Sequence, residues 1–448
     1  MTHSVGDRFP QCGGTSIADH RSGTSPVPRA ERIAERFIFI SFMIFIPVSL
    51  WPGNSDLPIM MIPAGIVAII LARRRTERSR LSTHFLIVLI VYVVINLFST
   101  AIANRNIDLG TINGRYLQLY GVCIAAAAAF GIPTQRVASR VVGVLLVAAG
   151  LWYVYELIRL VWAYPFTEGR LVGTRNLATT FAMELLVFCS LVAGVAIRWK
   201  TRLFHRLVMM VMIAVAGALL VLTFTRGVLI VAVIVTIPSV ILCSWLSKKL
   251  RLALVCGWFF LLLPLGAAMW FKFSPSDRHS SYTAEGRMIA WRVALELMLE
   301  KSPLPRKIFG HGCYSNVFAA SARYYGTKAP VTQYGAEFAH VHNVVLQTWV
   351  ESGLMGMLAG ALLWLIPLRA ASQKSSDREQ FDPKAFFPAI LTIGLMSQFD
   401  DVRLPKAGPY SWMLLGITIA AQRNGRLRDR TDGCMSIRLK PFEKLVFD

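Results

Sequence analysis

Three short segments contain the residues whose types suit chemistry on a charged or hydroxylated substrate. Arg226 lies in TFTRG, Arg287 in EGRMIAW, and His340 and His342 in FAHVHN. A guanidinium binds phosphate oxygens through a planar fork of donors. A neutral imidazole accepts a proton from a hydroxyl or orients it. TFTRG is predicted to be a nearly loopless turn, with the next helix beginning at Arg226. Each arginine also has an ordinary interpretation: Arg226 is equally typical of an interfacial anchor, and Arg287 of a solvated helix start.

Weaker candidates lie beside or between these segments. Arg175 and Asn176, in GTRNLATTF, precede an apolar block, and Asn176 is equally typical of a helix N-cap. Asn343 directly follows the second histidine. The H-x-H pair is able to chelate a metal, but Glu337 is the only carboxylate nearby in the sequence, and no H-E-x-x-H or Cys/His spacing accompanies it. The sequence therefore predicts no metal and no other cofactor.

Apolar blocks surround these residues and must position them. The chain has 448 residues, of which 55% are hydrophobic and only 16% are charged. The blocks are about 15–24 residues long, the length that crosses a hydrocarbon core of about 30 Å as a helix. Their residues do not alternate between polar and apolar, as barrel strands do. The sequence predicts an all-α, polytopic membrane protein.

About twelve transmembrane helices are predicted. The candidate spans lie near 33–51, 57–72, 82–102, 115–131, 141–163, 177–197, 206–224, 227–245, 251–271, 343–366, 385–400 and 409–421. The predicted regions are a disordered N-terminal tail over 1–32, nine helices over 33–271, a long loop over 272–342, three helices over 343–421 and a C-terminal tail over 422–448.

The lysines and arginines predict the orientation of these helices. The chain carries 47 Lys+Arg against 25 Asp+Glu, a formal net charge of +22. In a soluble protein this excess would suggest nucleic acid, but much of it lies in alternate connections such as 73–80, 198–206 and 422–430. The positive-inside rule then places both termini in the cytoplasm and the long loop outside. Membrane lipid is the predicted surrounding, and no nucleic-acid partner is predicted.

The long external loop is predicted to have a helical half and a Gly-rich half. The segment EGRMIAWRVALELMLEKSPLPRK predicts an amphipathic helix that is stopped by Pro303 and Pro305. Its apolar residues at 289, 293, 297 and 298 fall near one helical face. The second half is rich in Gly, Tyr and His and ends at the mouth of a span, a common place for a functional site. Glu351 and Gly353 lie inside that span. Burying a glutamate in a membrane span costs free energy and therefore suggests a function. The alternative is that Glu351 serves only the stability of its own helix.

Several motifs together resemble one bacterial membrane-enzyme superfamily. In chain order, GTRN, TFTRG, EGRMIAW, GHG and HNVVLQTWVESGLMGML resemble the O-antigen ligases and O-antigen polymerases, and most closely the ligases. The most specific piece is H-N-x-x-L-Q…E-x-G-x-x-G, while TRG stands where many members have SRG. The resemblance covers about 170–360 and implies a GT-C-like, all-helical glycosyltransferase. By motif, the family's two essential arginines and loop histidine match Arg226, Arg287 and His342.

The resemblance implies a donor, an acceptor and a side of the membrane. A ligase transfers O-antigen polysaccharide from undecaprenyl diphosphate to a sugar of lipid A–core, at the periplasmic face of the inner membrane, with inversion and without a metal. The arginines would bind the diphosphate, and the histidine would serve the acceptor hydroxyl. A polymerase would use the same donor and a second lipid-linked glycan. A flippase would instead line its spans with charge, and few charges lie there.

Overall fold

The computed structural model shows a bundle of helices. It describes residues 29–50, 61–74, 80–103, 109–163, 166–167, 170–171, 178–198, 203–223, 225–241, 249, 284–312, 341, 343–373, 382–398 and 409–423.

Thirteen α-helices lie within the described residues. They are α1 (Arg29–Leu50), α2 (Met61–Arg74), α3 (Arg80–Ala103), α4 (Leu109–Gly131), α5 (Gln135–Trp162), α6 (Ala178–Arg198), α7 (Leu203–Leu222), α8 (Arg226–Ile241), α9 (Ala284–Glu296), α10 (Leu304–Phe309), α11 (Val344–Ser372), α12 (Phe387–Met396) and α13 (409–423). A π-helical turn, Leu297–Lys301, follows α9, and a 3-10 helix, Pro383–Phe386, precedes α12.

The helical class is confirmed for the described residues, with one small exception. Strands β1 (Phe166–Thr167) and β2 (Arg170–Leu171) pair antiparallel after α5, which the all-α prediction did not include. Every candidate span that falls on described residues is helical, and α1 begins at Arg29, before its predicted start at 33. The ninth candidate, 251–271, lies outside the described residues.

Five of the described helices are long and apolar enough to cross a membrane. They contain Arg80–Ile102, Val137–Trp162, Thr180–Arg198, Phe204–Leu222 and Val344–Ser372. Four shorter apolar helices accompany them: Met61–Ala72, Tyr120–Gly131, Gly227–Val240 and Pro383–Met396. Several helices turn large apolar side chains outward, as with Leu151 and Val161 on α5. Such faces suit a lipid surrounding, and the total of twelve spans stays a prediction.

Small residues allow the helices around α4 to approach closely. Ala125 to Ala129 are fully buried in α4. A Cβ at Gly65 of α2 would lie 2.6 Å from the Cα of Cys123, and a Cβ at Gly416 of α13 would lie 2.3 Å from the carbonyl oxygen of Ala125. Helices in membranes associate largely by such close packing, because lipid supplies no hydrophobic force between them. The Ala run of α4 therefore places it between α2 and α13.

The predicted amphipathic helix is present but ends differently. It runs through α9 and the π-helical turn as far as Lys301. Pro303 ends it, as predicted, and then forms the N-cap of α10. Pro305 was wrongly predicted to stop the helix, because it lies in the first turn of α10, where a missing N–H costs nothing. The segment is therefore two helices joined at a turn.

Candidate functional site

Arg226 is the first residue of α8, as the nearly loopless turn in TFTRG predicted. Residues 199–202 join α6 to α7 and residues 223–225 join α7 to α8. Such short connections join antiparallel helices, so the chain reverses twice, and α8 begins at the same end of the bundle as α6. A helix start presents free N–H groups and the positive end of the helix dipole. The backbone at Arg226 is therefore suited to an anion.

α12 packs against both α6 and α8 and runs antiparallel to α6. The hydroxyls of Ser190 in α6 and Thr392 in α12 form a hydrogen bond at 2.7 Å. Further along α6, Gly194 lies against the carbonyl of Ala385, which precedes α12. Higher residue numbers in α12 therefore lead toward the start of α6. The last turn of α12 lies at the end of the bundle where α8 begins.

Asn343, a weaker site candidate, caps α11 and ties it to the chain that follows α12. Its Oδ1 accepts a hydrogen bond from Leu346 N–H at 3.0 Å, the usual N-cap contact. This contact sets the orientation of the amide, so Nδ2 donates to the carbonyl and the Oε1 of Gln398, at 3.4 and 3.3 Å. Val344 N–H donates to the carbonyl of Ser397 at 2.8 Å. α11 therefore begins at the same end of the bundle as α8.

α9, which contains Arg287 in its first turn, packs beside the start of α11. A separate buried apolar cluster joins the two helices, and its members are Ala290, Val293, Ala294, Leu297, Met298, Val341 and Val350. The sequence predicted positions 289, 293, 297 and 298 near one helical face, and the structure buries Val293, Leu297 and Met298 on that face. The helix of Arg287 is thereby fixed against residues on both sides of the α11 N-terminus.

Three predicted features therefore lie at one end of the bundle. These are the helix start at Arg226, the helix that contains Arg287, and the residues that flank position 342. The remaining candidates lie outside the described residues; they are Arg175, Asn176, His340 and His342.

A chain of buried hydrogen bonds runs along the first two turns of α11. Val341 N–H donates to Gln347 Oε1 at 2.9 Å, and Gln347 Nε2 donates to Glu351 Oε1 at 2.6 Å. Gln347 and Glu351 are each only 5% exposed. Sequence reasoning gave Gln347 no role, although its spacing of four from both Asn343 and Glu351 places all three on one helical face. A polar stripe of this period in an apolar helix was the available signal.

α11 is broken at Gly353, and the break forms a contact with α10. Gly353 has φ 67° and ψ −171°, and Gly310, which caps α10, has φ 79° and ψ −175°. A Cβ at Gly353 would lie 2.1 Å from the carbonyl oxygen of Ile308. The carbonyls of Val350 and Glu351 accept hydrogen bonds from the N–H groups at 311 and 312, each at 2.8 Å. The GHG and E-x-G motifs therefore contact each other.

α3 completes the surroundings of this break with polar side chains. Ser99 donates to the carbonyl of Glu351 at 2.6 Å, and Ser352 donates to Asn96 Oδ1 at 2.5 Å. All four residues are buried. Buried polar groups stabilise a structure only when they are hydrogen-bonded, and here each bond spans two helices. The break in α11 is therefore held from two sides, by α10 and by α3.

His311, the central residue of GHG, is half-buried and bonded within this contact. Its Nε2 and the hydroxyl of Ser302 form a hydrogen bond at 2.7 Å. Burial lowers the pKa of His311 below its ordinary value of 6.5, and the nearby positive charge of Arg306 lowers it further. The imidazole is therefore neutral at neutral pH. His311 contacts the second turn of α11 through the carbonyl of Val350, and the sequence analysis did not select it as a site candidate.

Acidification is expected to weaken this contact through His311. The pKa is lower in the folded state, so the neutral side chain contributes stability above pH 6.5, and that contribution is lost as pH falls through the folded pKa. The protection factors of the amides in residues 302–312, which correct for the pH dependence of intrinsic exchange, should therefore fall below pH 6.5 in the wild type. The fall should be smaller in His311→Gln, which cannot titrate. An equal fall in both proteins would contradict the prediction.

The chain matches the O-antigen ligase family over residues 171–360. This part of the chain belongs to the O-antigen ligase superfamily. The matched range contains Arg226, Arg287 and the whole H-N-x-x-L-Q…E-x-G-x-x-G segment, and it ends within α11. O-antigen ligase superfamily members are glycosyltransferase-like membrane enzymes, and the apolar helices agree with an integral membrane protein. No curated protein matches the chain.

Among the described residues, no group of three or more His, Cys, Asp or Glu side chains is placed to hold a metal ion. The carboxylate of Glu351 is bonded to Gln347, and the His311 imidazole is bonded to Ser302. Among the described helices, α6, α8 and α11 have their N-termini at this end of the bundle.

Proposed function

We propose that the chain is an O-antigen ligase. It transfers O-antigen polysaccharide from undecaprenyl diphosphate to a sugar hydroxyl of lipid A–core during lipopolysaccharide biosynthesis. The observation that carries the proposal is the family match over 171–360, which includes every residue to which we assign chemistry. The location is the inner membrane of a bacterium, with both termini cytoplasmic and the start of α11 facing the periplasm. The alternation of basic connections supports this orientation.

In the proposed reaction the acceptor hydroxyl attacks the anomeric carbon of the first O-antigen sugar. The bond from that carbon to the diphosphate oxygen breaks, and undecaprenyl diphosphate leaves with the electron pair. His342 takes the hydroxyl proton or orients the hydroxyl, and attack opposite the leaving group inverts the anomeric centre. Arg226 and Arg287 bind the diphosphate and stabilise its growing negative charge. Diphosphate is a good leaving group, so two guanidinium groups are sufficient in this mechanism.

A polymerase is the second candidate, because it uses the same lipid-linked donor. Its acceptor is another lipid-linked glycan, so the two activities differ in the product and not in the donor chemistry. A flippase is less well supported. The described buried glutamates, Glu156, Glu184 and Glu351, lie within about two turns of helix ends and do not form a path along the spans.

Reconstitution of the purified protein is the decisive experiment. The protein is incorporated into vesicles with undecaprenyl-diphosphate-linked glycan and lipid A–core, with EDTA present, beside His342→Ala. We expect glycan on lipid A–core with the wild type and a loss of transfer in His342→Ala, in which the general acid–base contribution of about 10²- to 10⁴-fold is removed. A donor glycan that lengthens while lipid A–core stays unmodified would show a polymerase. Movement of donor between leaflets without transfer would show a flippase.

The pH dependence of transfer supplies a second test of His342. A base that must be neutral gives an acidic limb in kcat/KM. His311 is a second histidine whose protonation in acid, below its lowered pKa, would cause a separate loss of transfer activity. The profile is therefore measured in His311→Gln as well. The acidic limb should persist in that variant if His342 causes it, and it should disappear if His311 does.

A further inference from the structure

Position 342 is flanked by two backbone segments that the structure fixes independently. On one side, Val341 is fully buried and its N–H is bonded to Gln347 Oε1. On the other side, Asn343 caps α11 and is bonded to Gln398. The two flanking residues are therefore anchored to different helices, α11 itself and the end of α12.

The Val341 anchor depends on the orientation of one amide group. Because a backbone N–H only donates, Gln347 must present its Oε1 to Val341, and its Nε2 then points along the helix to Glu351. The carboxylate of Glu351 accepts that hydrogen bond at 2.6 Å. Because Glu351 Oε1 accepts from Nε2, it holds the amide in the orientation that Val341 requires. Donors and acceptors therefore have only one order along these two hydrogen bonds.

The far end of this chain is itself fixed. The backbone carbonyl of Glu351 accepts hydrogen bonds from Gly312 N–H and from Ser99, and Gly353 breaks the helix two residues later. Glu351 is 5% exposed, and a carboxylate at that depth is costly unless hydrogen bonds compensate for its lost hydration. A leucine at 347 and 351 would form the same apolar helix without this cost. The hydrogen bond to the backbone of Val341 therefore explains Gln347 and Glu351 better than helix stability does.

We propose that Gln347 and Glu351 are positioning residues for His342. Glu351 orients the Gln347 amide, Gln347 holds the peptide N–H of Val341, and this anchor fixes the backbone immediately before the histidine. The inference rests on the proposed function, because it assigns the pair a role in the transfer reaction. It adds to that function two buried residues that touch neither donor nor acceptor in the proposed mechanism.

A positioning role predicts a specific kinetic signature. Gln347→Leu keeps the size of the side chain approximately and removes the anchor of Val341. We expect kcat to fall roughly 10- to 100-fold, the order of loss that follows a misplacement of about 1 Å, while KM for the lipid-linked donor stays within about twofold. Amide exchange at Val341 should accelerate in the same variant, which reports the lost hydrogen bond without reference to activity.

Exchanging the two polar groups tests the order of donors and acceptors. Gln347→Glu alone places two carboxylates against each other and should lower kcat as much as Gln347→Leu does. The double variant Gln347→Glu/Glu351→Gln restores the chain, because the new carboxylate accepts from Val341 N–H and from the new amide. We expect the double variant to recover kcat to within about threefold of wild type, on the scale of that loss.

A matched control separates positioning from general loss of buried hydrogen bonds. Ser190→Ala removes the buried bond to Thr392 between α6 and α12, away from the α11 N-terminus. It should lower the Tm and leave kcat unchanged. The proposal is overturned if Gln347→Leu keeps the wild-type kcat, or if the exchanged double variant is no better than Gln347→Glu. If the wild type itself transfers nothing while Val341 exchange still depends on Gln347, the proposed function fails and the anchor stands.

Discussion

Replacing Arg226 or Arg287 by alanine is expected to lower kcat/KM for transfer by about 10²- to 10³-fold each, the usual effect of removing one preorganised group that stabilises transition-state charge. Arg226 begins α8, and Arg287 lies in the first turn of α9, the helix that packs beside the start of α11 at the same end of the bundle. The loss follows because the charge on the departing diphosphate would lack a partner. Transfer to lipid A–core in vesicles measures it.

Lysine replacements distinguish charge from geometry. A lysine keeps the positive charge but loses the planar fork that binds two phosphate oxygens. Arg226→Lys and Arg287→Lys are therefore expected to recover only part of the activity that the alanine variants lose. Full recovery would show that a single positive charge is sufficient at that position.

Arg292 is the matched control for this experiment, because it lies on the same helix as Arg287 and is exposed. Its Nε is 2.8 Å from Glu296 Oε1, an ion pair of the surface type that contributes little stability. Arg292→Ala should retain wild-type transfer. The proposed mechanism is wrong if Arg226→Ala and Arg287→Ala also retain it, or if Arg292→Ala loses as much as Arg287→Ala.

Local sequence patterns predicted those features that depend on local interactions. Hydrophobic blocks identified the long apolar helices among the described residues, because helix formation in lipid depends on the length and polarity of one segment. The TRG motif predicted that α8 begins at Arg226, and the spacing of Val293, Leu297 and Met298 predicted the buried face of α9. Each of these features is encoded within a few turns of the chain.

Contacts between distant segments were not predictable in the same way. The hydrogen bond from Asn343 to Gln398 joins residues 55 positions apart, and the contact between Gly310 and Gly353 joins residues of two helices. Glycine alone does not distinguish a flexible position, a helix packing site and a broken helix. The GHG and E-x-G motifs contain these glycines, and the structure shows that their positive φ angles and close contact require glycine.

The break in α11 gives the second large effect, an expected destabilisation by Gly353→Ala. At φ 67° and ψ −171°, Gly353 occupies a backbone region that is essentially restricted to glycine and costs other residues about 1–3 kcal/mol. The added Cβ would also lie 2.1 Å from the carbonyl oxygen of Ile308, and that atom is backbone and cannot rotate away. Alanine instead favours a continuous helix.

The consequence of Gly353→Ala should reach the GHG segment. A continuous α11 would reclaim the carbonyls of Val350 and Glu351, which now accept hydrogen bonds from the N–H groups of His311 and Gly312. We expect a lower Tm, faster amide exchange over residues 302–312 and reduced transfer. Thermal unfolding and exchange of the protein in vesicles measure the first two without reference to activity.

Gly217→Ala in α7 is the control for Gly353→Ala, because a Cβ at Gly217 meets no atom within 4 Å. Alanine in a helix interior is favoured over glycine by about 0.5–1 kcal/mol, so this variant should be neutral or slightly stabilised. Gly310→Ala should resemble Gly353→Ala, because Gly310 has the same kind of backbone conformation and contacts the same break. If Gly353→Ala behaved like Gly217→Ala, the glycine would not be what holds α11 open. The hydrogen bond from Ser99 of α3 to the carbonyl of Glu351 would then be the remaining contact that holds the break open.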